Sequence, residues 1–529
     1  MEKKYFGVML DCSRNAVMKV EQVKKFVDYI SSFGYNMLQL YTEDTYEVRN
    51  EPYFGYMRGR YTKEELKEID AYCASKGVEL IPCIQTLAHL GAIFRWKEYR
   101  NVCDAGDILL VNEKRTYALI ENMFATIAEC FQSRKVNVGM DEAHLLGLGQ
   151  YLNKYGYKDR FTILSEHLEK ITKIADKYNF KLMMWSDMFF RLASGGNYYN
   201  TEAQITEEIR EKVPKNLSLI FWDYYHEDKF IYDGMLDAHK QFHRDIWFAG
   251  GVWTWMGFAP HNAYSMRTME TAMRSCREKN VDNIFLTMWG DNGKECSFFS
   301  VLPTLFYLKK IYDGESNKTV IEEEFQKLTG ENFQAMMDLD LPNQIYDGAF
   351  TAENPCKYGL YADPFAGALE KMLYPYHADT YRAYANTLKQ HKKNSQFSYI
   401  FDCLYKLCRV LELKHDLSIR IRSAYTRKDK ATLAGIAKEM KTLIVRVQSF
   451  YRAFRVLWYQ ENKPNGFEVQ DARLGGLIQR LKNCREQLLQ YVDGRLESLP
   501  ELEEEPLPVE WEEPWWWNNW ATNISVNIV

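Results

Sequence analysis

The sequence predicts an α/β fold: a (β/α)8 barrel of the TIM type followed by a C-terminal α-helical domain. Three observations predict it. Eight short apolar runs alternate with helical stretches over about the first 300 residues, the pattern then changes to long helical stretches, and the runs end repeatedly in carboxylates and tryptophans. Runs that are near-continuously apolar, separated by helices, indicate a parallel sheet covered on both faces. Eight such units over this span suit a closed barrel. An open doubly wound sheet would carry a glycine-rich phosphate turn after its first strand, and the segment LDCSRN is not one.

The predicted strands cover residues 5–11, 37–42, 79–85, 136–142, 181–187, 217–225, 245–253 and 283–291. Amphipathic segments at 20–33, 63–76, 117–132 and 161–178 supply helices between them. Residues 319–355 are mixed in character, and NPCKYGLYADPF, from Asn354, is expected to be an irregular connection. Helices are predicted at 378–393, 396–424, 429–461 and 470–497; in the second, Phe397, Phe401, Leu404, Leu407 and Leu411 recur at helical spacing. The expected organisation is a barrel over 1–325, a helical domain over 326–500 and a tryptophan-rich tail over 501–529. That tail, with Trp511 and Trp520 at the ends of WEEPWWWNNW, needs burial, either on its own chain or across a homodimer.

Composition narrows the function. At 46% hydrophobic and 26% charged residues the 529-residue chain is globular, and a net charge of −5 offers no footprint for nucleic acid. No window is apolar for the length a membrane span needs, and the N-terminus lacks a leader pattern. Eleven scattered cysteines without a CxxC pair read as reduced thiols, so the expected compartment is the cytoplasm.

In a barrel of this kind the reacting groups come from strand C-termini and the loops after them. Here those positions hold Asp11 and Arg14, Glu43 and Asp44, His89, Asp141 and Glu142, Trp185 and Asp187, and Trp222 through Tyr225. Trp253, Trp255, Trp289 and Asp291 complete the set. Carboxylates among Trp and Tyr describe a carbohydrate site. A phosphate site would need glycine-rich amides or clustered cations, and zinc would need closely spaced His or Cys. No metal or cofactor is expected.

The sharpest constellation is Gly139-Met140-Asp141-Glu142-Ala143-His144, at the end of the fourth run. Adjacent side chains on a strand face opposite ways, so both acids reach one cavity only if the chain turns out of the strand. Two acids so close would repel, and an apolar setting would keep one protonated, ready to act as general acid. The competing reading makes Asp141 a helix cap and Glu142 a solvated first-turn residue. Asp-Glu-Ala-His also spells a helicase motif, but the phosphate loop such proteins need is lacking.

With these residues in hand, the sequence resembles glycoside hydrolase family 20, the β-N-acetylhexosaminidases, and is most similar to compact bacterial members that start directly with the barrel. VGMDEAH is similar to the family's Gly-x-Asp-Glu signature, MLDCSRN to its first-strand Asp-x-x-Arg, and TLAHL to its third-strand Gly-His, with Ala88 before His89. The resemblance implies exo-acting, retaining, substrate-assisted hydrolysis of terminal N-acetylglucosamine or N-acetylgalactosamine from an oligosaccharide or glycoconjugate. It implies that Asp141 orients the substrate's 2-acetamido group and Glu142 acts as acid and then base. Arg14 would hold ring hydroxyls, and His89 with Glu43 or Asp44 would support Glu142, with Asp11 beside Arg14. Trp185, Trp222 and Trp289 would enclose the sugar, and either Tyr224 or Tyr225 would bond the acetamide oxygen. Trp253 would stand either at the rim or behind the residues that touch the sugar, and the sequence does not separate the two. The family's eighth-strand Trp-x-Glu is Trp289-Gly290-Asp291 here, an acid one methylene shorter. Two other readings stay open: a glycosidase on this barrel without acetamide participation, and a sugar-binding protein without turnover.

Overall fold

The computed structural model describes residues 3–345, 355–366 and 378–505. Eight parallel strands close into a barrel in chain order: β1 (Tyr5–Asp11), β2 (Met37–Tyr41), β3 (Glu79–Cys83), β4 (Lys135–Asn137), β5 (Lys181–Trp185), β6 (Ser218–Asp223), β7 (Ile246–Gly251) and β8 (Asn283–Met288), with β8 paired back to β1. Every position of β1 is buried, which explains why the run carries no polar alternation. The interior is a packed layer of large side chains, among them Tyr5, Met9, Tyr41, Ile81, Trp185, Trp247 and Phe285. Trp222 and Trp289, partly buried, close its upper end. Helices Val20–Ser32, Lys63–Ser75, Lys114–Cys130 and Arg160–Lys177 stand where the amphipathic segments predict them. The second is fixed by a capping box in which Thr62 accepts from Glu65 N and Glu65 returns to Thr62 N.

Strand β4 departs most from expectation. In the run 136–142 the regular strand ends at Asn137, and Gly139, Met140 and Glu142 all take positive φ, at 71°, 66° and 50°. The chain leaves the sheet there instead of continuing it.

The described residues fall into two compact units. The first holds residues up to 252 with 265–289 and 304–324; the second holds 253–264, 290–303 and the described residues from 325 onward. The second is built around Ala378–His391, Ser398–Lys414, Leu417–Thr426, Lys430–Glu461 and Phe467–Val492. Its aromatic core includes Phe450, Phe454, Trp458 and Phe467, the last two with ring centroids 5.6 Å apart. Two expectations are corrected here. The single helix expected at 396–424 is two, broken at Asp416. Lys414, fully buried, turns inward to the carbonyls of Gly359 and Ala362. The stretch expected to be irregular after Asn354 contains a helix, Pro355–Tyr361, whose first six residues are all buried. Burial by tertiary packing outweighs its Pro and Gly content. The tail over 506–529 lies outside the described residues. Among the described residues no helix is long and apolar enough to cross a membrane.

Within the second unit Glu295 sits wholly buried between Lys357 Nζ at 2.9 Å and Arg473 Nη1 at 2.8 Å. Removing one member of a buried ion pair leaves uncompensated charge. Glu295→Ala is therefore expected to destabilise the protein by about 3–5 kcal/mol, read as a lower urea midpoint. An unchanged midpoint would show that the two cations do not depend on this carboxylate.

Candidate active site

The turn out of β4 begins at Gly139, where no side chain fits. A Cβ would stand 1.9 Å from Gln85 Oε1, and φ is already left-handed. Gly139 N donates to Asn137 Oδ1 at 3.1 Å and Met140 N to Gln85 Oε1 at 3.3 Å. Glu142 N donates to Asp187 Oδ2 at 3.0 Å. These contacts hold two non-glycine residues in a region that costs about 1–3 kcal/mol each when unsupported. No helix starts until Gln150, so Asp141 caps none.

Asp141 is 8% exposed and is gripped from the loop after β3. Gln85 Nε2 donates to its Oδ1 at 2.9 Å, and His89 Nε2 lies 3.2 Å from its Oδ2. Burial pushes the Asp141 pKa up, but the His89 charge and the Gln85 hydrogen bond outweigh it, and the carboxyl sits below its usual range. For His89, burial acts to lower the pKa; the charge of Asp141 opposes it, and the imidazole is raised to about 10. His89 is anchored in turn through its backbone N–H to Asp107 Oδ2 at 3.0 Å. Its ring nitrogen is 3.8 Å from Glu142 Oε2, so it serves Asp141 more closely than Glu142. The Glu142 side chain is 45% exposed.

The expectation that one of the paired acids is pushed up is not met at Asp141; two other carboxyls are. Burial raises Glu43 to about 7, despite Arg14 and His89 nearby. Burial also raises Asp187 to about 7, with the charge of Asp141 adding to it. Glu43 accepts from Tyr41 OH at 3.1 Å, and Tyr41 OH accepts from Gln85 Nε2 at 2.9 Å. Gln85 thus links Glu43 to Asp141. Arg14 reaches Glu43 Oε1 at 3.5 Å and Asp11 Oδ2 at 3.7 Å. Asp11 is fully buried and also accepts from Ser13 N and Oγ.

Aromatic rings border these acids. Trp289 meets Tyr41 edge-on at 4.7 Å and Trp185 at 6.1 Å. Trp222 stacks on Tyr224 at 5.3 Å and packs on Tyr198 at 4.6 Å. Tyr224 is buried, with hydrogen bonds to the side chains of Trp289 and Thr287, whereas Tyr225 is 45% exposed.

Residues 4–229 match the family model "Glycosyl hydrolase family 20, catalytic domain", and residues 331–515 match "Glycoside Hydrolase 20C C-terminal domain". The chain belongs to glycoside hydrolase family 20. Among curated relatives, a "Beta-hexosaminidase" of Akkermansia muciniphila is 28% identical over 167 residues, 26% of this chain and 34% of that protein. "Hexosaminidase D" of Homo sapiens is 22% identical over 225 residues, 40% of this chain and 43% of that one. The match therefore spans well under half the length of either relative. Among solved structures, the exo β-N-acetylglucosaminidase of Vibrio harveyi in complex with N-acetylglucosamine aligns at TM-score 0.47 and 16% identity. That alignment covers 64% of this chain and 58% of that one. The chitobiase of Flavobacterium johnsoniae aligns at 0.48 and 14%, covering 86% and 78%.

Within this family 20 chain, several residues singled out from sequence have partners of their own. Asp44 is committed to a buried ion pair with Arg58 at 3.1 Å. Trp185 is 1% exposed and forms part of the barrel interior, with no open ring face for a sugar. Trp253 stacks on Trp255 at 4.2 Å, and Asp291 opens the turn Asp291–Gly293. Asp223 closes a local turn by accepting from His226 Nδ1 at 2.7 Å. Sequence reasoning missed Gln85, Tyr41 and Asp107, and it placed Asp187 among the strand-end candidates without giving it a role. A polar Gln closing an apolar run was the available signal for the first; Tyr41 is indistinguishable from core until the barrel is closed.

The His89–Asp141 pair gives stability a definite pH dependence. A raised His89 contributes fully below its unfolded value of 6.5 and loses that contribution as pH climbs through about 10. Thermal melts from pH 6.5 to 10 are expected to fall more steeply for the native chain than for His89→Gln. Parallel slopes would remove the pair as a source of stability.

Proposed function

We propose that this chain is an exo-acting β-N-acetylhexosaminidase that works by retaining, substrate-assisted catalysis. The observation that carries the reading is the contrast between two adjacent acids. Asp141 is buried with its charge held by His89 and Gln85, and Glu142 stands half-exposed beside it. A carboxylate that stays ionised can accept the acetamido N–H and balance a positive intermediate; an accessible neighbour can exchange protons with leaving group and water.

In the first step the acetamide oxygen bonds to the anomeric carbon while its bond to the leaving oxygen breaks, and Glu142 gives that oxygen a proton. The oxazolinium formed carries the positive charge that Asp141 faces. In the second step Glu142, now a carboxylate, takes a proton from water, whose oxygen attacks the same carbon and releases the acetamide. Two inversions leave net retention. The intramolecular nucleophile needs no separate immobilisation, which is the advantage of the route. Arg14 has the fork to hold two adjacent hydroxyl oxygens. Tyr224, bonded to Trp289, is the better candidate for the acetamide oxygen, since it is buried beside Trp222 and Tyr225 is half-exposed. Ten of the eleven cysteines are buried thiols, which supports a reducing, cytoplasmic setting.

Aryl 2-acetamido-β-glycosides should be cleaved, and the matching 2-hydroxy glycosides turned over only marginally. Glu142→Gln is expected to lower kcat by about 10²–10⁴-fold, the usual worth of a general acid. Asp141→Asn should lose a comparable factor on the acetamido substrate. Equal rates on both substrate classes, or a fully active Asp141→Asn, would sink acetamide participation.

A further inference from the structure

The loop between β2 and the helix Lys63–Ser75 presents aromatic rings that no step above uses. Tyr53 is 37% exposed and Tyr56 43%, and Met57, next in the chain, is 58% exposed. Their rings lie 5.8 Å apart, and each meets Trp96, which is half-buried, at 5.7 and 5.3 Å. The three rings, in mutual contact and partly open to water, form one continuous aromatic surface.

The patch is built to keep its shape. Gly55, Met57 and Gly59 all take left-handed φ, which winds the loop tightly. Phe54 is fully buried against Tyr46 at 5.4 Å. Arg60 Nη1 donates to the carbonyl of Pro52 at 3.0 Å. Arg58, 2% exposed, ties the loop to Asp44 and to the carbonyl of Ser13. Trp96 is set by its own N–H donating to Ile93 O at 3.0 Å, in the single turn Ile93–Arg95 just after His89.

The ties run directly to the candidate active site. Asp44, which holds Arg58, follows Glu43, the partner of Arg14; Ser13 precedes Arg14; and Trp96 lies shortly beyond His89. The platform therefore stands on the same rim of the barrel as Asp141 and Glu142, on the loops after β2 and β3. Glu142 is the exposed member of that pair, so the leaving group departs on the open side. The apolar C–H face of a pyranose ring stacks on aromatic rings, and the adjacent Arg95 guanidinium offers donors to hydroxyl oxygens.

We propose that Tyr53, Tyr56 and Trp96 form a binding platform for a sugar on the leaving-group side of the scissile bond, making the substrate an oligosaccharide chain. This rests on the reading of Asp141 and Glu142 as the catalytic pair. Its test uses the full-length chain carrying Glu142→Gln to suppress turnover, titrated calorimetrically with N-acetylglucosamine and with its β-1,4-linked trimer. The trimer is expected to bind at least about tenfold more tightly, which is 1.4 kcal/mol. Adding Trp96→Ala with Tyr56→Ala should bring the two affinities to within about twofold of each other. Thermal unfolding of the same samples checks that the loop change leaves the chain folded.

Equal affinities before the aromatic substitutions would overturn the platform while leaving the catalytic reading intact. A trimer advantage that survives them would assign it to other residues and equally overturn the proposal. Binding of neither ligand would overturn the catalytic reading beneath it. A rise in sedimenting mass abolished by Trp96→Ala, with equal affinities, would assign the patch to a second copy of this chain instead.

Discussion

The candidate site depends on the chain leaving the sheet after Asn137. Adjacent carboxylates on a continued strand would point to opposite faces, one into the barrel and one toward the helices. Left-handed conformations at Gly139, Met140 and Glu142 break that alternation, so both acids come to the C-terminal rim. Two of those residues are not glycine, and the strain is offset by bonds from Gln85, Asn137 and Asp187. Gln85 is the hinge of the arrangement: its oxygen braces the turn and its nitrogen holds Asp141.

Electrostatics follow from that geometry. Three buried carboxyls, those of Glu43, Asp141 and Asp187, stand near one another, and they cannot all be ionised cheaply at low dielectric. The fold resolves the conflict by giving Asp141 a cation and an amide donor, while burial pushes Glu43 and Asp187 up to about 7. One charge is thus concentrated on Asp141, and Glu43 and Asp187 are eased toward neutrality. Glu142 stands half-exposed beside them.

The second unit has an independent physical logic. Its long helices bury a set of phenylalanines and Trp458, and a fully buried Lys357–Glu295–Arg473 triad fixes the segment after Gly290 within that unit. The loop carrying Trp253 and Trp255 belongs to it as well. Family membership over both the catalytic and the C-terminal regions is consistent with a chain whose later helices are as much a part of its architecture as its barrel.

The order and hydrophobicity of the residues by themselves determined the barrel. A strand buried on both faces must be apolar throughout, and eight such runs with amphipathic helices between them leave few other solutions. They also determined which acids end the strands, because an acid at the end of an apolar run has nowhere else to go. What only the tertiary structure decided were contacts between residues distant in sequence. Gln85 and Tyr41 become polar links only when β2, β3 and β4 are side by side. Asp44 is claimed by Arg58 through a loop whose turns come from three left-handed residues. Trp185 sinks into the barrel because its ring meets Phe285 from β8. Periodicity records which face of an element is dry; it carries no record of which partner, many residues away, satisfies each polar atom there.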